Sequence, residues 1–113
     1  MTLPAAINTK GAWTEITAAT SASIRWLVPL VVGNSTDTAW VANHRGLIDI
    51  GVGGSGSEAV IVPDVGFGAF NNEAILHFPV TVPVRIPAGT RLAARYQEAL
   101  IGDRPGVILI GID

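Results

Sequence analysis

Between Phe78 and Tyr96 the chain reads FPVTVPVRIPAGTRLAARY, and this stretch constrains the fold more than any other. Val80, Val82, Val84 and Ile86 alternate with Thr81, Pro83, Arg85 and Pro87. A period of two marks a strand with one face buried and one face open. Proline has no N–H to donate to a ladder, so a strand that carries Pro79, Pro83 and Pro87 belongs at a sheet edge or is broken by bulges. Pro87-Ala88-Gly89-Thr90 is turn chemistry. A second alternating run follows, with Leu92, Ala94 and Tyr96 on one face and Arg91, Ala93, Arg95 and Gln97 on the other. The two runs predict a hairpin within a β-sandwich or jelly roll.

The rest of the chain extends the pattern. Strands are predicted over Trp13–Thr17, Ile24–Val32, Thr38–Asn43, Leu47–Val52, Ala59–Val62 and Val107–Ile112. Ala18–Ser23 reads as a loop of small residues. Ile24–Val32 alternates at first and then turns apolar on both faces, as a strand buried between two layers does. Val107–Ile112 is apolar throughout and is predicted to be central. Gly33–Asp37, Gly53–Gly56 and Gly102–Gly106 carry turn residues. Pro63 is expected to end its strand, and Gly66 and Gly68 weaken Val65–Phe70 as regular structure. Asn71-Asn72-Glu73 offers a cap for one helical turn through Ala74–Leu76. Turn signals every 8–12 residues or so are the mark of an all-β sandwich or barrel. The expected fold is a single antiparallel β-sandwich or jelly roll of about eight strands, with little or no helix. It occupies residues 1–113 as one domain with a short N-terminal arm, about residues 1–12.

Charge and cysteine content exclude several classes. The chain has no cysteine and a formal net charge of −2, which leaves no thiolate metal site and lacks the basic balance of a nucleic-acid binder. The first ten residues have no basic segment leading into an apolar one, which speaks against a signal peptide. The longest apolar run, Trp26–Val32, contains Pro29 and falls short of the ~18 residues a membrane helix needs. Charged residues make up 14% of the chain and apolar ones 49%, whereas soluble domains carry roughly 25% charged residues. A domain of this size buries only roughly 60–70% of its surface. The surplus of apolar side chains lies either singly on the surface or in a patch that another subunit covers, and the covered patch is the favoured reading.

The candidate sites are mostly structural in character. Gly51-Val52-Gly53-Gly54-Ser55-Gly56 matches G-x-G-x-x-G after a strand. A strand pattern ending in Pro63 follows it, not the helix whose N-terminus a dinucleotide phosphate needs, so a glycine-rich hairpin loop is the plainer reading. Asp49 is a charge within an apolar strand, and pairing with Arg91 or Arg95 is favoured over acid–base work because an unpaired interior charge is costly. His44 and His77 have no partner at metal-ligand spacing, and no serine sits in a nucleophile elbow. No catalytic, metal or cofactor residue is assigned, and the chain is read as a non-enzyme. Trp26 is assigned to the core. Trp13 and Trp40 are candidates for core, for interface or for stacking against a sugar. Thr81, Pro83 and Arg85, with the Arg91 and Arg95 face, are the candidate contact surface.

Several runs also carry a resemblance. They are Trp13–Ala18, Leu47–Gly53 with Gly56–Glu58 and Val60–Pro63, Phe78-Pro79 with Ile86–Arg95, and the terminal Val-Ile-Leu-Ile-Gly111. Together they resemble small β-sandwich proteins encoded among the structural genes of tailed bacteriophages. The motifs are strand and turn motifs spread over most of the chain. The resemblance implies a virion component, a capsid decoration (cement) protein or a subunit of a head spike, fibre or tail appendage, commonly a trimeric jelly roll. It implies no catalytic residue. The expected partners are further copies of the chain, as a homo-oligomer and a trimer in particular, and the major capsid protein or another virion protein. Neither nucleic acid nor a membrane is expected. The expected location is the outer surface of the particle, after synthesis in the host cytoplasm. The alternative is a glycan- or receptor-binding subunit with Trp13 or Trp40 as its platform.

Overall fold

The structure is a computed structural model that describes residues 1–32, 45–70, 74–76, 79–99 and 105–113. Among these residues there are eight strands and no helix. They are β1 (Thr14–Thr17), β2 (Ile24–Val32), β3 (Arg45–Val52), β4 (Ala59–Phe70), β5 (Ala74–Leu76), β6 (Val82–Ile86), β7 (Leu92–Glu98) and β8 (Gly106–Ile112). Five form one antiparallel sheet in the order β1-β7-β3-β4-β5, and three form a second in the order β6-β2-β8. The two sheets pack face to face as a sandwich.

The core follows from alternation. In the register of β3 and β7, Ile48 lies opposite Tyr96, Ile50 opposite Ala94 and Val52 opposite Leu92, so all six share one face. Leu27 and Val31 of β2 come from the other sheet to meet them, joined by Val62 and Phe67 of β4. Phe67 and Tyr96 meet with ring centroids 6.5 Å apart at a tilt of 59°. Each large apolar side chain removed from water in this way contributes about 1.5–3 kcal/mol.

The proline-spaced run lies where its chemistry requires. β6 is an edge strand, with Ile86 buried, Val82 and Val84 half-buried, and Thr81, Pro83, Arg85 and Pro87 exposed. The predicted hairpin does not form. β6 pairs with β2 and β7 pairs with β1 and β3, so Pro87–Arg91 crosses from one sheet to the other. The β1–β2 connection crosses beside it, and the two loops bind each other. The Thr20 N–H donates to Thr90 O at 2.9 Å and the Gly89 N–H donates to Thr20 O at 2.7 Å. Thr20 Oγ1 donates to Pro87 O at 2.9 Å. The turn residues are as read; the partner of each strand is set by these long-range bonds.

Four further expectations change. Pro63 does not end a strand, because β4 runs through it to Phe70. The register jumps there: Ile48 faces Val65 while Ile50 faces Val62, so Pro63 and Asp64 together oppose Asp49. This is a β-bulge, which tolerates both the missing proline donor and the positive φ of 54° at Asp64. Ala74–Leu76 is strand β5, not a helical turn, because its backbone completes the ladder beyond Gly68–Phe70. Among the described strands β8 lies at the edge of its sheet, not at the centre. Trp26 is not core: it is 45% exposed, because among the described residues only one layer packs on the three-stranded sheet and the second face of β2 looks outward. The turn at 33–37, the strand at 38–43 and most of the turn at 102–106 lie outside the described residues.

Candidate functional site

One group of charged residues collects on the outer face of the five-stranded sheet. Asp49 on β3 and Arg95 on β7 are directly paired neighbours, and Arg95 Nε donates to Asp49 Oδ2 at 3.0 Å. The chain before β1 adds Lys10, whose Nζ donates to Asp49 Oδ1 at 2.7 Å and Asp64 Oδ1 at 2.9 Å. The bulge at Pro63–Asp64 turns the Asp64 N–H onto Asp49 Oδ1 at 3.0 Å. The Arg95 guanidinium also stacks 4.6 Å from the centre of the Trp13 ring. Burial pushes the Asp49 carboxyl up. The hydrogen bonds from Lys10, from the Asp64 backbone and from Arg95, with the charge of Lys10, outweigh it and hold the group below its ordinary value.

The residues before β1 continue its line along β7. The Asn8 N–H donates to Glu98 O and the Gly11 N–H to Tyr96 O, each at 2.8 Å. Lys10 therefore works as a clamp that ties the arm to the sheet. With both carboxylate oxygens engaged, Asp49 serves as an anchor, as the pairing argument from the sequence expected.

Arg91 makes a second bracket. Its Nε donates to Glu15 Oε2 at 2.8 Å, and its Nη1 donates to Glu58 Oε1 at 2.9 Å and Gly53 O at 3.1 Å. Glu58 Oε2 accepts the Gly56 N–H at 2.9 Å. Burial pushes the Glu58 carboxyl up, but its own backbone N–H, Arg91 and the Gly56 N–H hold it below the ordinary range. The glycine-rich segment thus forms the β3–β4 hairpin loop, with Gly53 and Gly56 at positive φ. A strand follows it, as the sequence indicated.

The candidate contact residues divide between two sides of the sandwich. Arg91 and Arg95 lie on the outer face of the large sheet, 17% and 30% exposed and held by ion pairs within the chain. Thr81, Pro83 and Arg85 lie exposed on or beside β6, in the small sheet. Trp13 is only half exposed and lies against Gly51 and Arg95. Trp40, His44 and His77 lie outside the described residues.

The small sheet shows what the sequence reading missed. Trp26, Val28 and Leu30 of β2 stand opposite Ile112, Ile110 and Ile108 of β8. Directly opposed residues share a face, and this face points away from the core. Ile108, Ile110 and Ile112 are 51%, 46% and 46% exposed. Pro83 of β6 stands opposite Trp26 and extends the band. The signal is present in Val107–Ile112, whose two apolar faces read as a strand between two protein layers, whereas among the described residues one layer packs on it, through Val107 and Leu109. At the β6 side of the band lies an open groove of about 640 Å³, lined by Ser23, Arg25, Trp26, Val84 and Arg85 among others.

Among the described residues no group of three or more His, Asp or Glu side chains is placed to hold a metal ion. Comparison with protein-family models, curated proteins and solved structures finds no match to this chain.

Proposed function

We propose that this chain is a non-enzymatic structural protein that works by adhesion, a capsid decoration (cement) protein of a tailed bacteriophage. It forms a homo-oligomer and stabilises the outer shell. The observation that carries the adhesive reading is the outward band of Trp26, Val28, Leu30, Ile108, Ile110 and Ile112 on the three-stranded sheet. Contiguous apolar surface of this kind marks a contact site, and aromatic anchors such as Trp26 dominate the energetics of such contacts. The occupant proposed for the band is the outer surface of the major capsid protein. The phage setting rests on the resemblance of the strand and turn motifs. Lys10, Asp49, Arg91 and Arg95 take no part in contact under this reading; they hold the scaffold rigid.

Co-sedimentation with purified, undecorated capsids tests the proposal. The native chain is expected to pellet with the particle at a fixed ratio to the shell protein, and Trp26→Ser is expected to weaken binding at least tenfold with the fold intact. A folded chain that stays in the supernatant with such shells would sink it.

One observation favours a glycan- or receptor-binding subunit instead. Trp26, half exposed, lies in a groove with Arg25 and Arg85, a stacking surface beside two cations. That reading expects binding to an acidic glycan, lost on Trp26→Ala and on Arg85→Ala, in the absence of any shell.

A further inference from the structure

Sheet edges are where a β-protein controls what it pairs with. Short strands, prolines and bulges blunt an edge, whereas a long apolar strand without them is a template for another strand. Most of the open edges among the described residues are blunted. β1 has four residues and β5 three. β6 carries Pro83, with Pro79 and Pro87 beside it. The part of β4 that β5 leaves unpaired carries Pro63 and two register shifts. The exception is β8, whose seven residues, GVILIGI, contain neither proline nor charge. Among the described residues it pairs with β2 on one side only.

We infer that the edge of β8 with which no described strand pairs is the self-association site, where a second copy of this chain pairs antiparallel about a two-fold axis through Ile110. Such pairing joins the two small sheets into one of six strands, β6-β2-β8 continued by β8-β2-β6 of the partner subunit. The strand is self-complementary in this register. Ile110 meets its own copy, Ile108 meets Ile112 of the partner subunit, and the exposed isoleucines remain on one face. No charge lies within the strand to repel its copy. Asp113, the first charge beyond it, has its own Arg25 at 4.0 Å, and the two copies of Asp113 fall at opposite ends of the pair.

The inference deepens the adhesive reading by naming the partner at one edge, and it leaves the doubled apolar face free for a shell. Its symmetry is two-fold, not the three-fold that the resemblance implies. Two paired strands of this length make an interface at the small end of specific contacts, below roughly 1,200 Å² in total. The expected association is reversible, in about the micromolar range.

The test uses the purified chain alone, so its outcome is independent of any shell. Sedimentation equilibrium is expected to show a monomer–dimer equilibrium. Ile110→Lys and Ile110→Glu are each expected to weaken it at least tenfold at unchanged thermal midpoint, and an equimolar mixture of the two is expected to restore it. The chain has no cysteine, so Ile110→Cys gives a single thiol. Directly opposed residues in an antiparallel pair have Cα atoms about 4.5–5.5 Å apart, within reach of a disulfide. Under mild diamide oxidation Ile110→Cys is expected to cross-link, and Arg85→Cys, on the far strand of the same sheet, is not. A monomer throughout the micromolar range, a trimer indifferent to Ile110→Lys, or cross-linking at position 85 and not at 110 would each overturn the inference.

Discussion

Asp49 is the residue on which most of the polar structure converges. It accepts from Lys10, Arg95 and the Asp64 backbone while its side chain is only 6% exposed. Removing one partner of a buried pair costs more than the pair itself contributes, because the other charges keep their desolvation and lose their compensation. Asp49→Asn keeps the volume and one acceptor and removes the charge. Lys10 and Arg95 retain some access to water, so the expected loss is about 1–3 kcal/mol, read from the denaturant midpoint at neutral pH. The same residue sets a pH dependence. Its folded-state value is held below the ordinary 3.8, so the unfolded chain binds the proton more readily and stability rises with pH in that window. The contribution is full above the unfolded value and fades as pH falls through the lower folded one. Between about pH 4.5 and pH 2, the wild-type chain is therefore expected to lose more stability than Asp49→Asn does. Equal slopes for the two proteins would remove the assignment.

At the scale of elements, alternation gave strand positions well and strand neighbours poorly. Ile24–Val32 is legible to the residue from a run that alternates and then turns apolar on both faces, and β7 nearly so from its period of two. β4 was read as two pieces because Pro63 and the glycines look like breaks in a one-dimensional pattern, and a bulge absorbs them. Glycine has a positive use on β3. A Cβ at Gly51 would stand 2.6 Å from the Trp13 ring and 3.1 Å from Ala59 O, so only a bare backbone lets Trp13 lie flat on the strand. Gly51→Val is expected to destabilise by about 1–3 kcal/mol, the usual cost of overpacking. It is also expected to shift tryptophan emission as Trp13 is displaced from Arg95. An unchanged melting curve and spectrum would argue against that seat.

Over the whole molecule, the two faces of the small sheet have different jobs, and adjacent residues of β2 expose the difference. Leu27 is fully buried between the sheets while Trp26 is 45% exposed on the outside. Leu27→Ala is expected to cost about 2–5 kcal/mol as a core truncation. Trp26→Ser is expected to stay within about 1 kcal/mol, while lowering the binding of an apolar fluorescent dye to the native protein. Comparable melting points for the two variants would mean that the layers are wrongly assigned. The surplus of apolar residues was readable from composition alone, since 49% apolar against 14% charged exceeds what one small core can hide. The place where that surplus emerges was not. The sequence points to Thr81, Pro83, Arg85, Arg91 and Arg95, which the sandwich separates onto opposite sides.

The sequence by itself determined the all-β class, most of the strand positions, the edge character of the proline-spaced run and that Asp49 pairs with an arginine, Arg91 or Arg95, of which the structure selects Arg95. These rest on local properties: a period of two, a missing N–H, and a charge that cannot stand alone among apolar neighbours. Tertiary structure decided the rest. It sent β6 and β7 to different sheets, set Lys10 on Asp49 from 39 residues away, turned Trp26 outward and left β8 at an edge. A strand that is apolar on both faces satisfies its pattern equally well between two layers or between one layer and a partner, and only the number of layers distinguishes them.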